Sequence, residues 1–329
     1  MTWKKSILVV AMALMVLPLA AQEATPEATM EPMLPATIEF EVPAELEGLQ
    51  PEGIEYDAVG ERFLFGSLTY GTIHSLSNNG DGTMALDVVV EDEALMSTVG
   101  LEVDKTNNRL LVANSAASAF MGGAGAAMLG SYDLETGEQL FMVDLGALYE
   151  AKTHFANDVT VDGEGNAYVT DSFAPVIYKV TPEGEASVLV EDEQLSAPFI
   201  GGNGIVFDPE GFLLVAVGGS QSVYKVTIGD EVTVTAVELD LAFGADGMIL
   251  AEDGTLYAVA NIGRYDQNIV AAMSDDAWAT ATVMDLGKTG GSATTITLVD
   301  GMPYYINAYL GDTTRLTYQI VLVSMMMQQ

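Results

Sequence analysis

The chain of 329 residues contains no cysteine, two histidines, and 11 lysines and arginines against 47 aspartates and glutamates. Each shortage excludes something. Without cysteine there is no disulfide scaffold, no thiolate metal site and no cysteine nucleophile. A formal net charge of -36 leaves little that could displace counterions from a phosphate backbone, so nucleic acid is excluded as a partner and anionic lipid is disfavoured. Long hydrophobic runs are missing too. The longest, Ser6 to Leu19, falls short of the roughly 20 residues that span a bilayer, so no stable membrane insertion is expected. There is no Gly-x-Ser-x-Gly elbow, which argues against a serine hydrolase of the α/β type. What is present is apolar material at 49%, ample for a core, on a surface acidic enough to concentrate cations. A salt-adapted surface gives the same balance.

The first residues read as an address. Lys4 and Lys5 precede the apolar run, and Leu19-Ala20-Ala21 offers small residues for cleavage, so residues 1–21 form a signal peptide. No cysteine follows to carry a lipid, and the protein is expected to be secreted or periplasmic. Residues 22–36, rich in Glu, Thr, Ala and Pro, read as a flexible linker, and residues 37–329 as one domain.

That domain is a repeat. The frame x-Gly-h-x-h-Asp-x-x-Gly-x-h-h-h, with h hydrophobic, recurs six times, starting at Glu52, Val99, Asn157, Asn203, Asp246 and Ala293. The starts are 47, 58, 46, 43 and 47 residues apart. Within each copy short β-branched or aromatic stretches alternate with Gly, Asn and Asp, the pattern of strands joined by tight turns. The glycine eight residues past the start suits a turn of positive φ, with Asn107 as the substitute in the second copy. A period in the forties with four strands predicts an all-β, six-bladed β-propeller. After Ala293 only three strands remain, Thr294 to Val299, Tyr304 to Tyr309 and Leu316 to Val323; the alternating segment Thr37 to Val42 supplies a fourth and closes the ring. The long second spacing places an Ala/Gly/Met insertion, Ser118 to Gly130, as a loop over one face.

In a propeller, residues at one repeat register converge on one ring at one mouth of the channel. The leading column reads Glu52, Val99, Asn157, Asn203, Asp246 and Ala293. Asn-Gly and Asp-Gly are common turn pairs, but four oxygen donors in one register predict a metal site. With only oxygen donors, Ca²⁺ is favoured, Mg²⁺ or Mn²⁺ are possible, and Zn²⁺ is less natural.

The ordered set Pro51-Glu52-Gly53, Asn157-Asp158, Asn203-Gly204 and Asp246-Gly247 resembles the senescence-marker-protein/gluconolactonase family. Pro51 to His74 and Ala156 to Val180 resemble its plant and bacterial calcium-dependent phosphotriesterase-like branch. The resemblance implies a six-bladed propeller with one divalent cation in the channel, hydrolysing small-molecule lactones, esters or organophosphates. It maps Glu52, Asn203 and Asp246 to metal ligands, and Asn157 to a ligand or substrate contact. Where the family's lactonases carry a sugar-contacting Arg this chain has Phe155, which shifts the expected substrate toward apolar ones. The implied chemistry is metal-assisted hydrolysis with Asp246 as general base and His154 as the weaker candidate, a solvated loop histidine being the plainer reading of the latter. His74 sits in a third strand and takes no role. The rival expectations are a non-catalytic binding propeller with a structural Ca²⁺ and an interaction scaffold of the NHL type.

Overall fold

The computed structural model describes residues 34–323 apart from 82, 230 and 266, so the expected signal peptide and most of the linker lie outside the described residues. Strand β1 (Thr37–Glu41) is followed by six meanders. The first is β2 to β5 (Ile54–Asp57, Arg62–Phe65, Thr72–Asn78, Met84–Glu91) and the second β6 to β9 (Ser97–Asp104, Arg109–Ser115, Gly125–Asp133, Gln139–Asp144). The third is β10 to β13 (His154–Val161, Ala167–Asp171, Val176–Val180, Ala186–Glu191), and the fourth β14 to β17 (Gly202–Asp208, Phe212–Val217, Ser222–Thr227, Val234–Ala236). A two-residue β18 (Glu238–Leu239) precedes the fifth, β19 to β22 (Gly244–Leu250, Leu256–Ile262, Asn268–Met273, Thr280–Lys288). The last holds β23 to β25 (Ala293–Val299, Met302–Asn307, Thr317–Leu322), and β1 runs antiparallel to β25 with Ile38 opposite Ile320. The only helical pieces among the described residues are five 3-10 turns.

The first strand of every meander packs against the next: β2 on β6, β6 on β10, β10 on β14, β14 on β19, β19 on β23, and β23 back on β2. The result is a propeller-like ring. Its apolar core is correspondingly divided into six clusters, one in each seam between successive meanders. A sheet covered on both faces needs apolar residues on both, which is why Arg109–Ser115 and Phe212–Val217 are buried along their whole length instead of alternating.

Hydrogen bonding divides the strands into five sheets where six separate blades were expected. The second and third meanders are fused because β8 and β10 pair in parallel, Gly125 with His154 and Ala126 with Phe155. This also corrects the expected loop at Ser118 to Gly130: it is a 3-10 turn, Ala117–Met121, followed by the start of a nine-residue β8. Small residues let that backbone lie against β10, and a Cβ on Gly125 would strike the His154 carbonyl oxygen.

The turn at the far end of each first strand follows the frame with one correction. Gly165, Gly211, Gly254 and Gly301 do have positive φ, but in the first two copies it falls one residue later, on Glu61 and Asn108. Gly60 serves a different need, since a Cβ there would sit 2.6 Å from Asp57 Oδ2 and 2.9 Å from Arg62 Nε. Asn107 acts through its side chain, donating to Asp104 Oδ2 at 2.8 Å.

Candidate active site

Five of the six column positions lie where the backbone is out of its ladder, while Ala293 still pairs with Asn307 and the break in that copy falls on Thr294 and Thr295. Pairing between first and second strands breaks between Thr98 and Leu101, Ala156 and Val159, Gly202 and Ile205, Ala245 and Met248, and Ala293 and Ile296. In the first copy Glu52-Gly53 directly precedes β2. Such bulges re-aim side chains and are concentrated next to active sites. Glycine follows the column residue in four copies, at Gly53, Gly100, Gly204 and Gly247, because adjacent first strands approach closely there. A Cβ on Gly53 would strike the Val99 carbonyl, one on Gly100 the Asp158 carboxylate, and one on Gly204 the Asp246 carbonyl. The column is thereby knitted into a ring, and Thr294 closes it by donating to the Glu52 carbonyl at 2.7 Å.

Three acidic side chains share this mouth. Glu52 and Asp158 are buried and Asp246 is partly buried. Burial first, then the charges of Asp246 and Asp158, hold Glu52 well above the ordinary carboxylate range. Asp246 is pushed up to about 6 by burial, with a 2.6 Å hydrogen bond from Asn261 Nδ2 opposing the shift. Asp158 reaches about 7 through burial and the Asp246 charge, against backbone donors at Val159 and Ile205. The Asn203 amide lies near enough to Asp246 to favour its charged form, yet neither of its polar atoms has a hydrogen-bond partner although the residue is 1% exposed. Leaving a buried amide unpaired costs about 1–3 kcal/mol. Asn157 is better supported, its Nδ2 donating to Ser172 Oγ at 2.9 Å.

An orphaned amide among carboxylates that raise one another's pKa is the environment a hard cation relieves, and all the donors are oxygens, so the residues fit a Ca²⁺-type ion. Among the described residues no group of three or more His, Asp or Glu side chains is spaced to hold a metal. The column has two carboxylates and two amides.

Deeper in the ring, a cavity of about 170 Å³ is lined by Glu55, Glu102, Asp158, Thr160 and apolar side chains of the first strands. Burial raises Glu55 to about 7 and, with the Glu55 charge next in weight, lifts Glu102 well above its usual range.

His154 is not a solvated loop residue. It opens β10, and its Nδ1 lies 2.7 Å from the buried Asp171 carboxylate, which also accepts from Tyr178 at 3.2 Å. The Asp171 hydrogen bond raises its pKa against burial, and it braces the seam to β8. Phe155 is 3% exposed, its ring covered by Phe120 at 4.8 Å between centroids. His74 is fully buried, stacked on Phe65, and burial lowers it to about 4, so it is neutral.

Asp158, Asn261, Ser172, Glu55 and Glu102 are the residues the sequence reading missed. Asp158 was visible as the residue occupying a glycine slot of the frame. Ser172 and Asn261 each lie fifteen residues after the column residue they support.

The ring, its bulged column and its cavity make a propeller-like fold that solved structures share. Among solved structures, Mala s 1, the major allergen of Malassezia sympodialis, is similar over 88% of this chain and 96% of its own, at 17% identity and a TM-score of 0.69. A gluconolactonase from Xanthomonas campestris is similar over 82% and 85%, at 15% identity and 0.58. A luciferin-regenerating enzyme is similar over 87% and 95%, at 13% identity and 0.59. No protein-family model matches the sequence, and no curated protein does.

Proposed function

We propose that this protein is an exported, metal-dependent hydrolase of lactones or esters, built as a six-bladed ring that Thr37–Glu41 closes. The observation that carries this reading is Asn203: a buried amide without a partner, beside two carboxylates whose pKa values are raised. The fold likeness to a gluconolactonase supports the substrate class.

Glu52, Asn157, Asn203 and Asp246 would hold the cation. When bound, Ca²⁺ (or Mg²⁺, Mn²⁺ or Zn²⁺) supplies Lewis acidity toward the substrate carbonyl and acidifies a bound water. The chain's own groups do the rest. Asp246 accepts the proton of the attacking water, while Asn261 keeps its Oδ2 oriented. Ser172 fixes the Asn157 amide by accepting from its Nδ2, which leaves its carbonyl oxygen free of that bond. The bulges hold these side chains on rigid strands, so little reorganisation is needed during the reaction.

The test is a melt of the mature protein stripped with EDTA, with each ion added back, beside a pH-indicator assay on lactones and aryl esters. Stabilisation by one ion, with turnover dependent on it, is the expected result. Asp246→Asn should lower kcat by about 10²-fold or more while the protein still folds in excess Ca²⁺. Stabilisation without turnover on any substrate would instead leave a binding propeller with a structural ion.

A further inference from the structure

We infer that the Ala117–Met121 turn is the apolar wall of the channel mouth, where Phe120 and Met121 seat the uncharged alkyl or aryl part of the substrate beside Asn157. This rests on the hydrolase reading above and adds the kind of substrate. From Ser115 to Gly130 there is no charged residue, in a chain with 47 acidic and 11 basic ones. Two large apolar side chains on this stretch face solvent, Phe120 at 47% and Met121 at 85%.

The turn stands at the column's end of the strands, since Ser115, just before it, pairs with Ser97 at the start of β6. The Phe120 ring meets Phe155 edge-on at 4.8 Å and Phe173 at 5.2 Å. Those two rings flank the Asn157 support: Phe155 lies two residues before Asn157, and Phe173 follows Ser172, which accepts from the Asn157 amide. The wall is firmly built. Gly122 ends the turn at φ 82, with its N–H donating to the Ala119 carbonyl, and Thr153 Oγ1 donates to the carbonyls of Gly123 and Ala124 at 3.0 and 2.8 Å. The parallel pairing of β8 with β10 fixes its far end.

Several occupants could cover such a patch. A surface with a net charge of -36 repels a second copy and an anionic bilayer alike, which favours a small uncharged molecule. Phe120 and Met121 would then serve as specificity determinants, occupying the side where a sugar substrate would need polar partners.

The experiment uses the mature protein and a series of γ-lactones with side chains of growing length, plus the matching 2-alkylcyclopentanones as ligands that cannot be hydrolysed. In the wild type, KM for the lactones and Kd for the ketones should fall with each added methylene, by up to about fourfold. Phe120→Ser and Met121→Ser should flatten both slopes. Met273→Ser, an exposed apolar residue at the opposite end of the ring, should not. Hydrolysis without chain-length dependence would overturn the wall and leave the hydrolase reading standing. Ketone binding that tightens with length, without hydrolysis of any lactone, would support the wall and remove the hydrolase. A wild-type dimer in sedimentation that Met121→Ser converts to monomer would overturn the wall as a substrate site, since a second copy would then cover it.

Discussion

Carboxylates stand at both ends of the ring's first strands, and the two ends treat them in opposite ways. At the turn end Asp57 accepts from the backbone of Val59 and Gly60 and pairs with Arg62 at 2.9 Å. Asp104 pairs with Arg109 at 2.8 Å, and Asp162 collects Asn166, Tyr168 and the Glu164 backbone. Burial pushes Asp162 up, but those donors outweigh it and hold its pKa below normal. At the mouth end Glu52 and Asp246 are raised by burial with fewer donors to offset it. Carboxylates saturated with donors hold the fold, while those left short of donors are available to something the chain does not itself supply.

The largest stability effect should come from breaking the saturated end. The Arg109 guanidinium also donates to the carbonyls of Gly165 and Pro182 on the next meander, so Arg109→Ala strands a buried charge and two carbonyls. A loss of about 3–5 kcal/mol in urea unfolding is expected. In metal-free protein Glu52→Gln should instead leave the urea midpoint unchanged or raise it. A large loss there would erase the contrast between the ends.

A smaller effect sharpens the picture inside the cavity. Glu55 is held at about 7 in the fold, above its ordinary 4.5. A carboxyl raised by folding contributes stability below about pH 4.5, and that contribution is lost as pH rises through 7. Glu55→Gln should therefore reduce the decline of stability between those pH values, by at most about 1.4 kcal/mol for each pH unit, and stabilise the protein at pH 8. Urea midpoints across that range check this, and an unchanged slope would contradict it.

The smallest effect returns to the turns. Gly301 has φ 77 with open space around it, so Gly301→Ala should cost about 1 kcal/mol from backbone strain alone. At the mouth, where a Cβ on Gly53 would strike the Val99 carbonyl, Gly53→Ala should cost more, as a thermal melt would report.

Much of this was legible in the sequence because a repeat states its own register. The frame located the strands closely: Thr294 to Val299 against Ala293–Val299, and Thr37 to Val42 against Thr37–Glu41. It also put Glu52, Asn203 and Asp246 in one column, and their mutual electrostatic effects show them as neighbours. What the frame could not carry was anything outside its own thirteen positions. The Gly125 to His154 pairing joins two copies, while the Asn261 hydrogen bond to Asp246 and the Asp171 carboxylate that holds His154 lie within one copy but use residues before or after the frame. The shift of positive φ from Gly60 to Glu61 was hidden for a simpler reason: the glycine was needed for close approach, and the frame cannot tell the two needs apart.

The pairing of β1 with β25 has a consequence for how the chain is made. Thr37 and Val321 face each other across nearly the whole sequence. During synthesis the last meander cannot acquire its outermost ribbon from anything nearby; it must wait until Leu322 has emerged and then find a segment translated long before. Until then β1 is an unpaired edge of alternating Ile38 and Phe40, open to capture by another chain. The seam of the ring is thus among the pairings with the greatest separation along the chain, the kind of contact whose loop-closure cost slows folding.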